Sequence, residues 1–236
     1  MSADRLPDPS DLACFGWSTR AWATPWMAWW NGQAETRFGQ ALEVGAGARS
    51  SLTPLMLHVS DRVECSYFDA SQLASIQQRH REVLDGAALE RVRYALRDIR
   101  SLNGRWDLIV MKSVVGGVFR LDGSDATELR AFIGRLVNEH LNIGGWLISL
   151  ENGRTALEPL WSRSGARRNG WRFLRRVDFP PPDAFHSFGL LSGFSAATRL
   201  GALGSKVDDI LYAVDRVVTP WARDHAVLLH AYQRKA

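Results

Sequence analysis

The stretch Ala41–Ser51 reads ALEVGAGARSS. An acid, Glu43, stands among apolar neighbours, and Gly45, Ala46 and Gly47 follow as a turn with almost no side chain. Glycine adopts positive φ without strain and lets another group come close to the backbone. The stretch therefore reads as a strand end, a bare turn and the opening of a helix. Arg49 and Ser50 stand where a third glycine would extend the turn, so the meaning of the stretch depends on its surroundings.

Outward from this turn the pattern alternates. QALEVGAG, RVECSYFDAS, RVRYALRDI, WDLIVMKSV and GWLISLEN read as five short apolar strands. Between them a helix is expected near residues 50–59. Another is expected over SQLASIQQRHREVLDG, with Leu73, Ile76, Val83 and Leu84 apolar and Gly86 as its stop. In DATELRAFIGRLVNEHLNIGG, Leu129, Phe132, Ile133, Leu136, Val137 and Leu141 form a helical stripe. Asp125 and Glu128 supply a capping box there, and Gly144–Gly145 its end. Strands alternating with helices predict a doubly wound α/β sheet.

Beyond Asn152, DAFHSFGLLSGFSAATRLGAL reads as a helix, a turn at Gly193–Phe194 and a strand. SKVDDILYAVDRVVTPW reads as an amphipathic helix opened by Ser205 with Asp208 and closed before Pro220, and HAVLLHAYQRK as the last strand. Upstream, Cys14–Gly32 holds five of the chain's ten tryptophans. Thr24 and Pro25 suit a helix start, which puts Trp26, Trp29 and Trp30 on one side. That side either packs on the domain or covers a ligand. The division expected is a helical lid over residues 1–38 and one domain over residues 39–236.

The 236 residues, 46% hydrophobic, suffice for one large core, and a net charge of +4 permits an anionic partner without requiring one. No apolar run reaches the length of a membrane span, and MSADRLPDPSD lacks the basic and apolar regions of a secretory signal. Cys14 and Cys65 have no metal-like spacing, so a reduced, cytoplasmic protein is expected.

Ligands of such sheets bind outside the carboxyl ends of the strands, where the strand order reverses. The strand-end residues are Glu43, Asp69, Asp98, Lys112 with Ser113, and Glu151 with Asn152. Asp69 follows Gly47 by about 20 residues, the spacing at which an acid accepts both hydroxyls of a ribose lying across the turn.

Over roughly Gly39–Asn152 this layout resembles the class I S-adenosylmethionine-dependent methyltransferases. Glu43, Gly45 and Gly47 match the family's first motif, an acid before Gly-x-Gly, although Arg49 replaces a frequent third glycine. WDLIV and IGGWLIS resemble its fourth and fifth strands, and LLSGFSAATRL the turn that opens its antiparallel C-terminal hairpin. VMKSVVGGV, SLENGR and GWRFL resemble a bacterial subgroup associated with glycan and polysaccharide biosynthesis. The resemblance implies a seven-stranded sheet with the last strand antiparallel beside strand five. It implies S-adenosylmethionine as cofactor, held by Glu43, Gly45, Ala46, Gly47, Asp69, Ala70, Asp98, Ile99, Lys112 and Ser113.

The expected activity is methylation of a hydroxyl on a glycan, glycolipid or small metabolite. Lys112 at the tip of strand four and His186 in the C-terminal region are the candidate bases. No metal is expected, because Lys112 stands where the metal-dependent branch places an acid beside Glu151–Asn152. The arginines between Arg163 and Arg176 suggest an anionic acceptor. An NAD(P)-dependent oxidoreductase and a non-catalytic nucleoside-binding scaffold are the alternatives. A nucleic-acid partner is not expected, since no basic stripe with interleaved aromatics extends beyond that single run.

Overall fold

The computed structural model describes residues 11–16, 18–33, 36–119, 125–155, 172–191 and 202–236, with the side chains of 11 and 202–205 excepted. Seven strands form one sheet: β1 (Phe38–Val44), β2 (Ser60–Tyr67), β3 (Val92–Leu96), β4 (Trp106–Lys112), β5 (Leu141–Asn152), β6 (Ala184–Phe188) and β7 (Val227–Gln233). Their order is β3-β2-β1-β4-β5-β7-β6. Neighbours from β3 to β5 pair in parallel, while β7 runs antiparallel to both β5 and β6. The expected last strand thus takes its expected place.

One face of the sheet carries α1 (Thr19–Asn31), α2 (Thr53–Met56) and α3 (Leu73–Val83). The other carries α5 (Val115–Val118) and α6 (Ala126–His140), while α4 (Gly86–Leu89) lies at the β3 edge. A last helix, α7 (Ala202–Val218), joins β6 to β7. Helix α1 buries Trp22, Trp26, Trp29 and Trp30 against the sheet, chiefly on β6 and β7. A large apolar side chain so buried contributes on the order of 1.5–3 kcal/mol, so α1 is part of the core. Trp29 meets Trp146 and Trp30 meets His58, both near the amino ends of the strands. At its other end α1 begins at the carboxyl edge, beside Lys112.

Several local expectations yield to packing. Helix α1 starts at Thr19, not at Pro25, because Ala21, Trp22 and Ala23 have core to bury; Pro25 lies inside it. Gly86 does not stop α3: Asp85 accepts the Ala88 N–H at 2.7 Å and opens α4. The Asp125 side chain caps α6 through the Glu128 N–H at 2.8 Å, as expected, but α6 ends at His140. Gly144 and Gly145 lie within β5, with Gly144 at φ 80°. A Cβ on Gly145 would come within 2.9 Å of the Asn142 and Asp107 carbonyl oxygens, so the glycine permits the irregular pairing with β4 there.

DAFHSF is not helical. It follows three prolines that favour extended backbone and pairs in register with β7, making it β6. The sixth strand therefore precedes Gly193–Phe194, which lies outside the described residues. Helix α7 opens at Ala202 rather than Ser205.

Candidate active site

The strand order reverses between β1 and β4, and there the chain makes its bare turn. Gly45 has φ 76°, and a Cβ on it would lie 2.7 Å from Val114 Cγ2, so both conformation and space demand glycine. The Ala46 N–H donates to the Ser66 carbonyl at 2.8 Å. Gly47 and Ser50 exchange backbone bonds of 2.9 and 3.1 Å, closing the loop that Arg49 tops. The Ala48 N–H reaches Gln72 Oε1 at 3.1 Å.

Glu43 lies beneath this loop, 3% exposed. Its carboxylate accepts Ser51 Oγ (2.7 Å), the Leu52 N–H (2.6 Å), the Thr53 N–H (2.8 Å) and Thr53 Oγ1 (2.6 Å). Burial pushes its pKa up, and these donors oppose that. The chain continues through His80: Nε2 meets Ser51 Oγ at 2.9 Å and Nδ1 meets the Tyr94 hydroxyl at 2.8 Å. With Ser51 donating to Glu43, Nε2 carries the hydrogen toward Ser51 and Nδ1 accepts from Tyr94. Burial holds His80 down to about 4, so it stays neutral at physiological pH. Sequence reasoning missed Ser51, Thr53, His80 and Tyr94; the Thr-Pro pair that opens α2 was the available signal.

Asp69 is exposed and Asp98 half-buried, both more open than Glu43. Asp69 Oδ1 accepts the Ser71 N–H (2.9 Å) and hydroxyl (2.7 Å), which hold its pKa below the usual carboxylate range. Ala70 begins the short 3-10 turn that Asp69 caps. Asp98 Oδ1 accepts the Arg100 N–H at 2.9 Å, and the neighbouring Ile99 packs inward, 7% exposed. Glycine turn, Asp69 and Asp98 thus line successive strand ends along one edge.

On the other side of the switch point the strand ends are covered. Lys112 Nζ lies 4.2 Å from the centre of the Trp22 ring. Burial pushes its pKa down to about 7, against the pull of Cys14, Glu151 and Glu43. Ser113 takes φ 56° and its Oγ accepts Asn152 Nδ2 at 2.9 Å. Glu151, 1% exposed, accepts the N–H groups of Val114 (3.0 Å), Val115 (2.9 Å) and Gly116 (3.3 Å); burial pushes it up to about 7 despite these bonds. It therefore ties α5 to β5, a structural task that leaves its oxygens engaged.

Register relates the two candidate bases. Lys112 pairs with Leu150, Leu150 with Leu229, and Leu229 with His186, so all four share one row and one face. Three strand spacings separate Lys112 from His186, about 14 Å between backbones. The structure does not bring them together. Burial lowers the pKa of His186, which is half-buried.

The N-terminal segment is strapped across the glycine loop. The Ser51 N–H donates to the Cys14 carbonyl at 3.1 Å, and Arg79 bridges the Arg49 and Ala13 carbonyls at 2.7 and 2.5 Å. A Cβ on Gly16 would overlap the Arg49 carbonyl. Beside the start of α1, a cavity of about 310 Å³ is lined by Ser18, Arg20, Asp208, Asp209 and Tyr212. Arg20 pairs with Asp209 there at 2.7 Å. Of the arginine run, residues 163–168 lie outside the described residues; Arg172 pairs with Asp178 at 3.4 Å, and Arg176 stacks on Phe185 at 4.3 Å. Among the described residues, no group of His, Cys, Asp and Glu forms a metal-binding cluster, and no helix is long and apolar enough to cross a membrane.

No family model and no curated protein matches the chain. Solved structures match its fold. Geranyl diphosphate C-methyltransferase from Streptomyces coelicolor A3(2), in complex with Mg2+, geranyl diphosphate and S-adenosyl-L-homocysteine, is 12% identical, covering 90% of this chain and 79% of its own, at TM-score 0.55. Magnesium protoporphyrin IX methyltransferase from Synechocystis PCC 6803 with bound S-adenosylhomocysteine is 17% identical, covering 73% of this chain and 74% of its own, at TM-score 0.50. An S-adenosylmethionine-dependent methyltransferase from Clostridium acetobutylicum ATCC 824 is 18% identical over 60% of this chain, at TM-score 0.43, and the chain spans about half (54%) of its length. The fold is that of the class I S-adenosylmethionine-dependent methyltransferases.

Proposed function

We propose that the protein is an S-adenosylmethionine-dependent methyltransferase acting on a hydroxyl of a glycan, glycolipid or other small metabolite. The observation that carries this reading is the open edge formed by the Gly45–Gly47 turn, Asp69 and Asp98 at the switch point of the sheet. The cofactor fits the residues present. Gly45, Ala46 and Gly47 offer bare backbone to its methionine part, and Glu43 acts from below by fixing the turn. Asp69 with Ala70 receives the ribose hydroxyls, while Asp98 and Ile99 flank the adenine. Lys112 and Ser113 complete the site from β4.

When bound, the cofactor supplies an electrophilic methyl group on a sulfonium. The protein then has to align the acceptor oxygen and take its proton. Lys112, with a pKa of about 7, is unprotonated in much of the population at neutral pH and suits that task. His186 is the second candidate. A carboxylate at the β4 tip would favour a metal; an ammonium there does not, so the reaction proposed is metal-independent.

The cavity beside α1 suits a small acceptor, and with Asp208 and Asp209 in its lining it favours hydroxyl groups over anions. Of the 1–38 segment proposed as a lid, residues 13–16 close over the glycine loop through the strap, while Trp26, Trp29 and Trp30 anchor α1 in the core.

Calorimetric titration with S-adenosylhomocysteine and with NAD tests the reading. Binding of the former alone is expected. Binding of NAD alone would overturn it in favour of an oxidoreductase.

A further inference from the structure

Lys112 occupies an unusual electrostatic position. Val44 pairs with Met111, so the next step of the register sets Lys112 beside Gly45, at the start of the cofactor turn. Its Nζ is held over the Trp22 ring of α1. The titratable groups acting on it are the Cys14 thiol from the N-terminal strap and the Glu43 and Glu151 carboxylates of β1 and β5. His186 of β6 shares its row three strands further on. Burial pushes the ammonium down to about 7 despite these groups, so its proton is loosely retained.

A methyl donor and its product differ there by one charge. S-Adenosylmethionine carries a positive sulfonium, and S-adenosylhomocysteine a neutral thioether in an otherwise equal molecule. A second cation entering a crevice of low dielectric repels the first far more strongly than it would in water.

We propose, building on the cofactor reading above, that Lys112 senses the charge on the cofactor sulfur: seating the sulfonium form releases the Nζ proton to solvent, whereas the thioether form leaves it in place. Cofactor arrival then prepares the neutral amine that accepts the acceptor's proton. After transfer the sulfur is neutral, and the proton taken from the acceptor hydroxyl is tolerated on Nζ.

The test is calorimetry of the full chain at pH 6, in buffers of different ionisation enthalpy, with S-adenosylmethionine and S-adenosylhomocysteine as probes. Nearly one proton released per S-adenosylmethionine and close to none per S-adenosylhomocysteine is expected. From pH 7 to pH 6 the affinity for the former should fall roughly fivefold relative to the latter, because about half a proton at pH 7 and nearly one at pH 6 is linked to its binding. Lys112→Met should abolish the difference in proton release and make the ratio of affinities independent of pH. Cys14→Ser should leave both in place, showing that the proton does not come from the thiol. Binding of both ligands with equal proton counts would overturn the charge sensor while leaving the cofactor reading intact. Binding of neither would overturn the cofactor reading, and the sensor with it. Should Lys112→Met fail to fold, the wild-type comparison of the two ligands decides alone.

Discussion

The two sides of the switch point treat strand-end ions in opposite ways. Across β1, β2 and β3, Asp69 is exposed and Asp98 half-exposed, each capping a short 3-10 turn through a backbone N–H. Across β4, β5 and β7, Lys112 is half-buried beneath α1 and Glu151 is buried against α5. Glu43 belongs to the first side by position and to the second by environment. An exposed carboxylate can exchange water for a ligand at little cost to the fold, whereas a buried one is committed to the donors around it. On the proposed reading, the open side binds the cofactor and the covered side sets protonation.

The largest expected effect concerns the buried acid. Glu43→Ala would leave the Leu52 and Thr53 N–H groups and the Ser51 and Thr53 hydroxyls without their acceptor. Loss of such a hub should cost roughly 3–5 kcal/mol, measured by urea unfolding. Glu43→Gln, which retains one acceptor oxygen, should cost less. Unchanged stability in Glu43→Ala would place this acid with the open ones and dissolve the contrast.

The open acid should behave in the reverse manner. Asp69→Ala removes an acceptor for two ribose hydroxyls, and S-adenosylhomocysteine affinity should fall roughly tenfold to a thousandfold. Melting temperature should move little, since the carboxylate is exposed and its bonds are to its near neighbours Ser71 and Gln72. Asp69→Asn should fall between. Wild-type affinity in a folded Asp69→Ala would remove Asp69 from the site.

The same contrast explains what could be read in the sequence. The glycine turn, Asp69 and Asp98 are local features: a few residues at a strand end with a known spacing, and each stands at the edge as expected. The existence of β1 to β5 and of β7 was equally legible, because their apolar runs persist whatever lies above them. The covered side was not, because its contacts join distant segments. Trp22 reaches Lys112 across about 90 residues of chain, and His80 of α3 meets Ser51 from 29 residues away. Local signals also failed where burial outweighed them. Pro25 sits inside α1 because four tryptophans need the helix, and Gly144–Gly145 bend β5 rather than end α6. DAFHSF, without a clean period, became a strand only because β7 offered it an edge.

The smallest effect sharpens the covered side. Trp22 presents its ring face to Lys112 Nζ at 4.2 Å, and a ring in that position favours the ammonium over the neutral amine. The same ring also excludes water, which favours the neutral amine, and the two influences oppose each other. A cation–π contact contributes about 0.5–2 kcal/mol depending on desolvation, equivalent to roughly 0.4–1.5 in pKa. If it dominates, Trp22→Leu should move the Lys112 transition below its value of about 7, with Trp22→Phe between the two. The transition is read as the midpoint of the pH dependence of the affinity ratio of S-adenosylmethionine to S-adenosylhomocysteine. Asp69 lies across the switch point, so S-adenosylhomocysteine affinity at pH 8 should stay close to wild type in both variants. A midpoint that instead rises in Trp22→Leu would show the ring acting chiefly as a cover, with water reaching the ammonium once it is gone. The tryptophan would then keep the lysine dry rather than charged, and the α1 helix would set the base by exclusion alone.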